Sequence, residues 1–146
     1  MQKSKKYILA GLCFSAILLF AGIAYSQNAE DFYQTANSNL TSGKMTEAVK
    51  YYNQAIRVDG NFFEAYLGLS IAYRELKQYD KALDSINCAI KLNPRYFQAY
   101  YNLGLILEKQ NKNIEAIKAY EIFLKGVPGA GNFSDANQRI FKLKEN

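Results

Sequence analysis

Histidine and tryptophan are absent from this sequence, and cysteine and proline occur only twice each. Without histidine the chain lacks the side chain most often used as a general base near neutral pH and as a metal ligand. Two cysteines, Cys13 and Cys88, fall short of a four-ligand zinc site and of a disulfide framework. What is there in excess is aromatic: 12 tyrosines and 9 phenylalanines in 146 residues. That length suits one domain with a core of ordinary size.

The formal charge of +5 divides unevenly. Met1–Ser26 holds Lys3, Lys5 and Lys6 and no acid, so residues 27–146 keep 15 basic groups against 13 acidic ones, a balance of +2. From Tyr7 to Tyr25 the chain is apolar throughout except Ser15, and it runs into Ala24-Tyr25-Ser26. A basic start, an apolar stretch and small residues around a cut after Ser26 lay out an export signal. The apolar stretch is slightly longer than a usual signal core and slightly short of the roughly 20 residues of a spanning helix. Residues 1–26 are therefore expected to be a cleaved signal peptide, with a membrane anchor over residues 7–25 as the alternative. Cys13 follows Leu12, where lipid attachment wants a small residue. Cleavage leaves Cys88 as the single thiol of an exported protein, periplasmic or extracellular. The near-balanced charge of that part argues against a nucleic-acid partner, which needs a strongly basic face.

A repeat organises the rest. Asn61-Phe62-Phe63-Glu64-Ala65-Tyr66 returns as Arg95-Tyr96-Phe97-Gln98-Ala99-Tyr100, a shift of 34. The same shift takes Leu69 to Leu103, Ala82 to Ala116 and Pro94 to Pro128; backwards, it takes Ala82 to Ala48, Ala89 to Ala55 and Tyr66 to Phe32. Three copies begin near Ala29, Phe63 and Phe97. Each reads as two amphipathic helices. In the second copy Tyr66, Leu69, Ser70 and Tyr73 form one stripe. After a break around Lys77-Gln78-Tyr79, the residues Ala82, Leu83, Ile86, Ala89 and Ile90 form another. Ala36, Ser70 and Gly104 hold equivalent small positions that let paired helices approach, facing Ala48, Ala82 and Ala116. Pro94 and Pro128 end second helices, and Gly60 does so in the first copy. After Gly129-Ala130-Gly131-Asn132, a last helix starts near Ser134, with Phe133 and Phe141 as its expected anchors.

These residues resemble the tetratricopeptide repeat (TPR): an aromatic, then Leu with a small residue, Tyr, Ala, an aromatic, Ala and Pro within one repeat unit. The second copy fits best. The first has Thr35 for the Leu and Asn39 for the Tyr, and the third has Leu107 for the Tyr and Phe123 for an Ala. The resemblance implies an all-α fold, a right-handed α–α superhelix of three helix–turn–helix repeats with a C-terminal capping helix. The expected units are residues 1–26 for the signal or anchor and 27–128 for the repeats (about 29–62, 63–96 and 97–128), with the cap over 129–146.

No catalytic, cofactor-binding or metal-binding residues emerge. Cys88 has no partner base and reads as a partly packed small residue. The carboxylates are spaced as a solvated helical face. In the TPR family the first helix of every repeat lines a concave groove, and one step along a helix turns about 100°. Resemblance and geometry together place Tyr33 and Asn37 on that groove from the first copy. The second copy contributes Leu67, Ile71 and Arg74, and the third Tyr101, Asn102, Leu105 and Glu108. Leu67, Ile71, Tyr101 and Leu105 make an apolar centre with a polar rim, suited to a peptide or helix of a partner protein. Gly68 is expected to leave a depression for a partner side chain. Of the tyrosines, Tyr33 and Tyr101 are expected outside the core. The family's clamp for chaperone C-terminal carboxylates needs Lys, Asn, Asn, Lys and Arg; the matching positions hold Tyr33, Asn37, Gly68, Gln98 and Asn102, and only Asn37 agrees. The expected function is thus a non-enzymatic protein-binding scaffold of the bacterial cell envelope, without a cofactor. The alternative is a structural envelope component that self-assembles head to tail.

Overall fold

The computed structural model describes residues 29–129 and 131–145. The signal or anchor read in residues 1–26 lies outside them. Among the described residues there are seven helices and no strand: α1 (29–41), α2 (Met45–Val58), α3 (Phe63–Glu75), α4 (Tyr79–Leu92), α5 (Gln98–Lys109), α6 (Asn113–Gly126) and α7 (Phe133–Glu145). They pack as successive neighbours into a superhelix of antiparallel hairpins, α1–α2, α3–α4 and α5–α6, with α7 closing the stack on α6. None of the described helices is long and apolar enough to cross a membrane.

The turns inside the hairpins repeat as faithfully as the helices. Gly43, Lys77 and Asn111 are equivalent positions of successive repeats, and all three adopt the left-handed conformation, with φ of 75°, 59° and 58°. That conformation closes the same double cap each time. The N–H of residue 43 donates to the Leu40 carbonyl (3.1 Å) and that of Lys44 to the Asn39 carbonyl (2.9 Å). Lys77 and Gln78 bond Arg74 and Tyr73 in the same way, and Asn111 and Lys112 bond Glu108 and Leu107. Two last-turn carbonyls are satisfied per turn, the pattern that ends a helix sharply. No side chain caps the start of α2, α4 or α6, so the backbone turn alone sets where the second helices begin.

The core is built from alanines and a few large rings. Ala36, Ala48, Tyr52, Ala55, Ala65, Leu69 and Ala72 form one buried cluster across α1, α2 and α3. Ala82, Ile86, Ala99 and Ile106 join α4 to α5. Leu107, Ala116, Ala119, Tyr120, Phe123 and Ala136 join α5, α6 and α7. Alanine lets helix axes approach, and the large side chains at the contacts supply the energy, about 1.5–3 kcal/mol for each fully buried one. Tyr52, Ile86 and Tyr120 occupy the same position of successive repeats, and all three are fully buried.

Three sequence expectations need correction. Cys88 is exposed, not partly packed, because it sits on the outer side of α4, while Ser85, Ile86 and Ala89 take the inner side. Phe141 does not anchor the last helix. It is 64% exposed, and Ala136, Ile140 and Leu143 make the contact with the core. The carboxylates are not all solvated: Glu108 and Asp135 are bound by neighbouring helices, as described next.

Candidate functional site

Every expected groove residue lies on a first helix, α1, α3 or α5, at positions that recur once per repeat. The same step reaches α7, which extends the face: from Tyr101 to Asp135 and from Leu105 to Arg139. The seventh helix therefore stands in the register of a fourth first helix. Asp135 and Arg139 are the residues the sequence reading missed, and one more step of the same period was the signal for them.

At the C-terminal end of this face five side chains close on one another. The Tyr101 hydroxyl donates to Asp135 Oδ2 at 2.6 Å, and Arg139 Nε donates to the same oxygen at 2.6 Å. Arg139 Nη1 donates to Glu108 Oε2 at 2.9 Å, and the Tyr120 hydroxyl, reaching through from α6, donates to that oxygen too. Burial raises the pKa of the Tyr101 and Tyr120 hydroxyls, and their carboxylate acceptors raise it further. Burial works to raise the Asp135 carboxyl, but the Tyr101 and Arg139 bonds hold it below its ordinary value. Burial likewise works against the Arg139 charge, yet its two carboxylate partners hold the guanidinium well above its ordinary pKa.

In the middle, Arg74 Nη1 donates to Asn102 Oδ1 at 3.2 Å, and its Nη2 pairs with Glu75 at 2.8 Å. Asn102 is only 8% exposed and also donates to the Gln98 carbonyl, which locks the α3–α5 contact. Leu67 and Leu105 are half-buried against the flanking clusters. Ile71 is half-buried and belongs to no core cluster among the described residues.

Tyr33 and Asn37 form a separate group at the N-terminal end. The Tyr52 hydroxyl donates to Asn37 Oδ1 at 2.6 Å, and burial pushes its pKa up, with Tyr33 adding to the shift. The Tyr33 ring packs against Phe62 (centroids 4.9 Å apart) and Tyr52 (6.1 Å). Tyr101 packs on Phe123 (5.2 Å) and Tyr120 (5.8 Å). Both tyrosines lie outside the buried core, as expected, yet they are half-buried and pack against it, because rings from the second helices rise between the first helices to meet them. The same rings correct the reading of Gly68. A Cβ on Gly68 would stand 2.3 Å from Tyr52 Cζ, so the missing side chain makes room for Tyr52, not for a partner. Gly104 likewise makes room for Tyr120, at 2.4 Å from Cε1.

The arrangement offers a surface for binding. Its ionisable groups are spent on one another, and its apolar centre, Leu67, Ile71 and Leu105, is flanked by amides and ion pairs. Among the described residues no group of three His, Cys, Asp or Glu side chains is placed to hold a metal ion.

A family model described as TPR repeat matches residues 71–111, and two described as tetratricopeptide repeat match residues 33–89 and 98–130. Together they run without a gap through all three hairpins. Among solved structures, the first TPR domain of Spaghetti (RPAP3), bound to the HSP90 peptide SRMEEVD, is 28% identical with a TM-score of 0.77, covering 82% of this chain and 93% of that one. MamA is 30% identical with a TM-score of 0.75, over 81% of this chain and 63% of that one. The Yersinia enterocolitica type III secretion translocator chaperone SycD shares the fold at 18% identity, with a TM-score of 0.78 over 82% of this chain and 86% of that one.

Proposed function

Because the chain belongs to the tetratricopeptide repeat family, we propose that it is a non-enzymatic protein–protein interaction module that takes a peptide or helix of a partner protein on its concave face. The observation that carries this reading is the half-buried strip of Leu67, Ile71 and Leu105, presented by two adjacent first helices and left uncovered between two polar ends. An apolar anchor seated there, inside a polar rim, concentrates binding energy in few residues. A similar domain, that of Spaghetti, is bound to a peptide. The clamp positions of this chain, Tyr33, Asn37, Gly68, Gln98 and Asn102, carry no lysine or arginine, so an apolar segment fits this groove better than an acidic C-terminus does. The basic and apolar run of Met1–Ser26 supports export to a bacterial cell envelope, either released after Ser26 or anchored by residues 7–25.

Ile71→Asp is the cleanest probe, since Ile71 supports no core cluster. Cross-linking of the exported protein in its host, followed by identification of bound proteins, is expected to capture a partner that the variant loses, with affinity falling about 30-fold, the scale of one anchor residue. Equal capture by a folded Ile71→Asp variant overturns the groove reading. Reading the N-terminus of the exported form separates a cut before Gln27 from a retained Met1.

A second reading, head-to-tail self-assembly, is favoured by one observation. Phe141 lies in step with Tyr73 and Leu107, which their own second helices help to cover, yet it is exposed, with no helix packed over it among the described residues. Sedimentation showing concentration-dependent growth that Phe141→Glu abolishes supports that role; a monomer at all concentrations removes it.

A further inference from the structure

Outside the groove the molecule carries a second, differently charged concavity. It measures about 700 Å³ and lies on the edge of the superhelix formed by the hairpin turns, between the α3–α4 turn and the α5–α6 turn. Lys77, Gln78, Tyr79, Asp80 and Lys81 line one side, and Lys109, Gln110 and Lys112 the other. Four of the 15 basic groups of residues 27–146 thus gather on one recess, in a part of the chain whose balance is only +2. Glu75, Asp84, Glu108 and Glu115, the acids that flank these segments along the chain, do not line it. Asp80, the single acid that does, accepts a bond from Gln110 Nε2 at 2.8 Å, which ties the two turns together. The Gln110 Oε1 atom is buried and has no hydrogen-bond partner. Lys81 rests its ammonium 5.5 Å from the Tyr73 ring centroid, which fixes its stem over the α3 side.

The backbone adds a further sign. Lys77 occupies a left-handed position that Gly43 fills in the first hairpin. A lysine there is strained where glycine is not, and local strain of this kind gathers where a side chain is needed.

We propose that this recess is a docking site for an acidic polypeptide segment, one with several Asp or Glu side chains close together. The four lysines supply the charge complement, and the recess lets a chain lie between the two turns. The near-neutral remainder of the surface does not extend the positive field as a nucleic acid would require, and a recess meets a flexible peptide more readily than it meets a flat lipid surface. The site is separate from the concave groove, so the chain would hold an apolar segment on one face and an acidic one on an edge.

The test uses a fluorescein-labelled peptide of alternating Glu and Gly, its Gln–Gly counterpart, phosphatidylserine vesicles and a duplex RNA, each titrated against the protein at low and moderate salt. The expected result is saturable binding of the Glu peptide that weakens with salt, no binding of the Gln peptide, and about ten-fold loss in Lys77→Glu/Lys109→Glu. Amide shifts are expected to concentrate at residues 77–81 and 109–112, with Ile71→Asp binding as the parent does. Lys77→Gln/Lys109→Gln, which adds no repulsion, is expected to show a smaller loss at unchanged helicity. Unchanged affinity in both lysine variants, shifts centred on α1, α3 and α5, or preferential binding of vesicles or RNA overturns the proposal.

Discussion

Tyr52 and Tyr120 show how much one side chain decides in this protein. Each is fully buried on a second helix, and each passes its hydroxyl to a residue of the groove face, Asn37 or Glu108. Their rings need the space that glycine leaves. Gly104→Ala therefore overpacks the contact with Tyr120, a cost of about 1–3 kcal/mol against about 1 kcal/mol of gained helix propensity. Tyr120 cannot swing away, since its hydroxyl is bonded and its ring enclosed. Urea unfolding is expected to show a net loss for Gly104→Ala in the parent and none in a Tyr120→Leu background, where the clash is gone. At Lys77 the balance runs the other way. The left-handed conformation costs a lysine roughly 1–2 kcal/mol, partly offset by the roughly 0.5–1 kcal/mol that glycine loses in chain entropy. Lys77→Gly is expected to raise stability by about 0.5 kcal/mol in the same assay, while removing one charge from the lysine recess.

At the scale of the element, α7 is the helix whose attachment depends most on charge. It packs Ala136, Ile140 and Leu143 on the core and adds the Tyr101–Asp135–Arg139–Glu108 chain at its first turns. Replacing Arg139 by Met leaves Glu108, whose side chain is 22% exposed, beside Tyr120 without its cation. The expected loss is about 1 kcal/mol, below that of a buried charged bond because water reaches the pair. Hydrogen exchange should show it as faster exchange confined to α7. Asp135 makes the attachment acid-sensitive. Its pKa is lower folded than unfolded, so its contribution is complete above the ordinary carboxyl value of about 4. That contribution is lost as pH falls through the folded value. Protection of the α7 amides is expected to drop over that acid range in the parent and to stay flat with pH in Asp135→Asn. A drop unchanged in Asp135→Asn assigns the effect to another carboxylate.

Across the whole molecule, stability is a sum over neighbouring hairpins, because the three clusters each join only adjacent elements. Phe123→Ala in the C-terminal cluster, a truncation of about 3–5 kcal/mol, is expected to open α5, α6 and α7 while the amides of α1, α2 and α3 remain protected. Uniform loss of protection in all helices contradicts that account. A second molecular property comes from the buried phenols. Burial raises the pKa of Tyr52 and Tyr120 above the ordinary value of 10.0, so both favour the folded state fully below about pH 10. As pH rises beyond that, the unfolded chain releases protons that the folded one holds, and stability falls. Unfolding free energy measured at rising alkaline pH is expected to decline more steeply for the parent than for Tyr52→Phe/Tyr120→Phe.

Much of this was legible in the sequence because the repeat is a one-dimensional signal. Its period, read from Phe63-Glu64-Ala65-Tyr66 and Phe97-Gln98-Ala99-Tyr100, is enough to phase the hairpins, to identify Ala48, Ala82 and Ala116 as interior, and to place Leu67, Ile71 and Leu105 on a common face. The same period held information left unused: Gly43 marked the left-handed turns at Lys77 and Asn111, and Tyr101 marked Asp135. What no spacing along the chain specified was which side chain fills the space between helices. Gly68 reads as a vacancy until the stacked hairpins bring Tyr52 into it. Lys77 and Lys109 stand far apart along the chain until two turns come side by side. Helical period is a local property of the backbone, so sequence alone determined the elements and their faces. Contacts between elements depend on how far each ring reaches across an interface, and only the tertiary packing decided them.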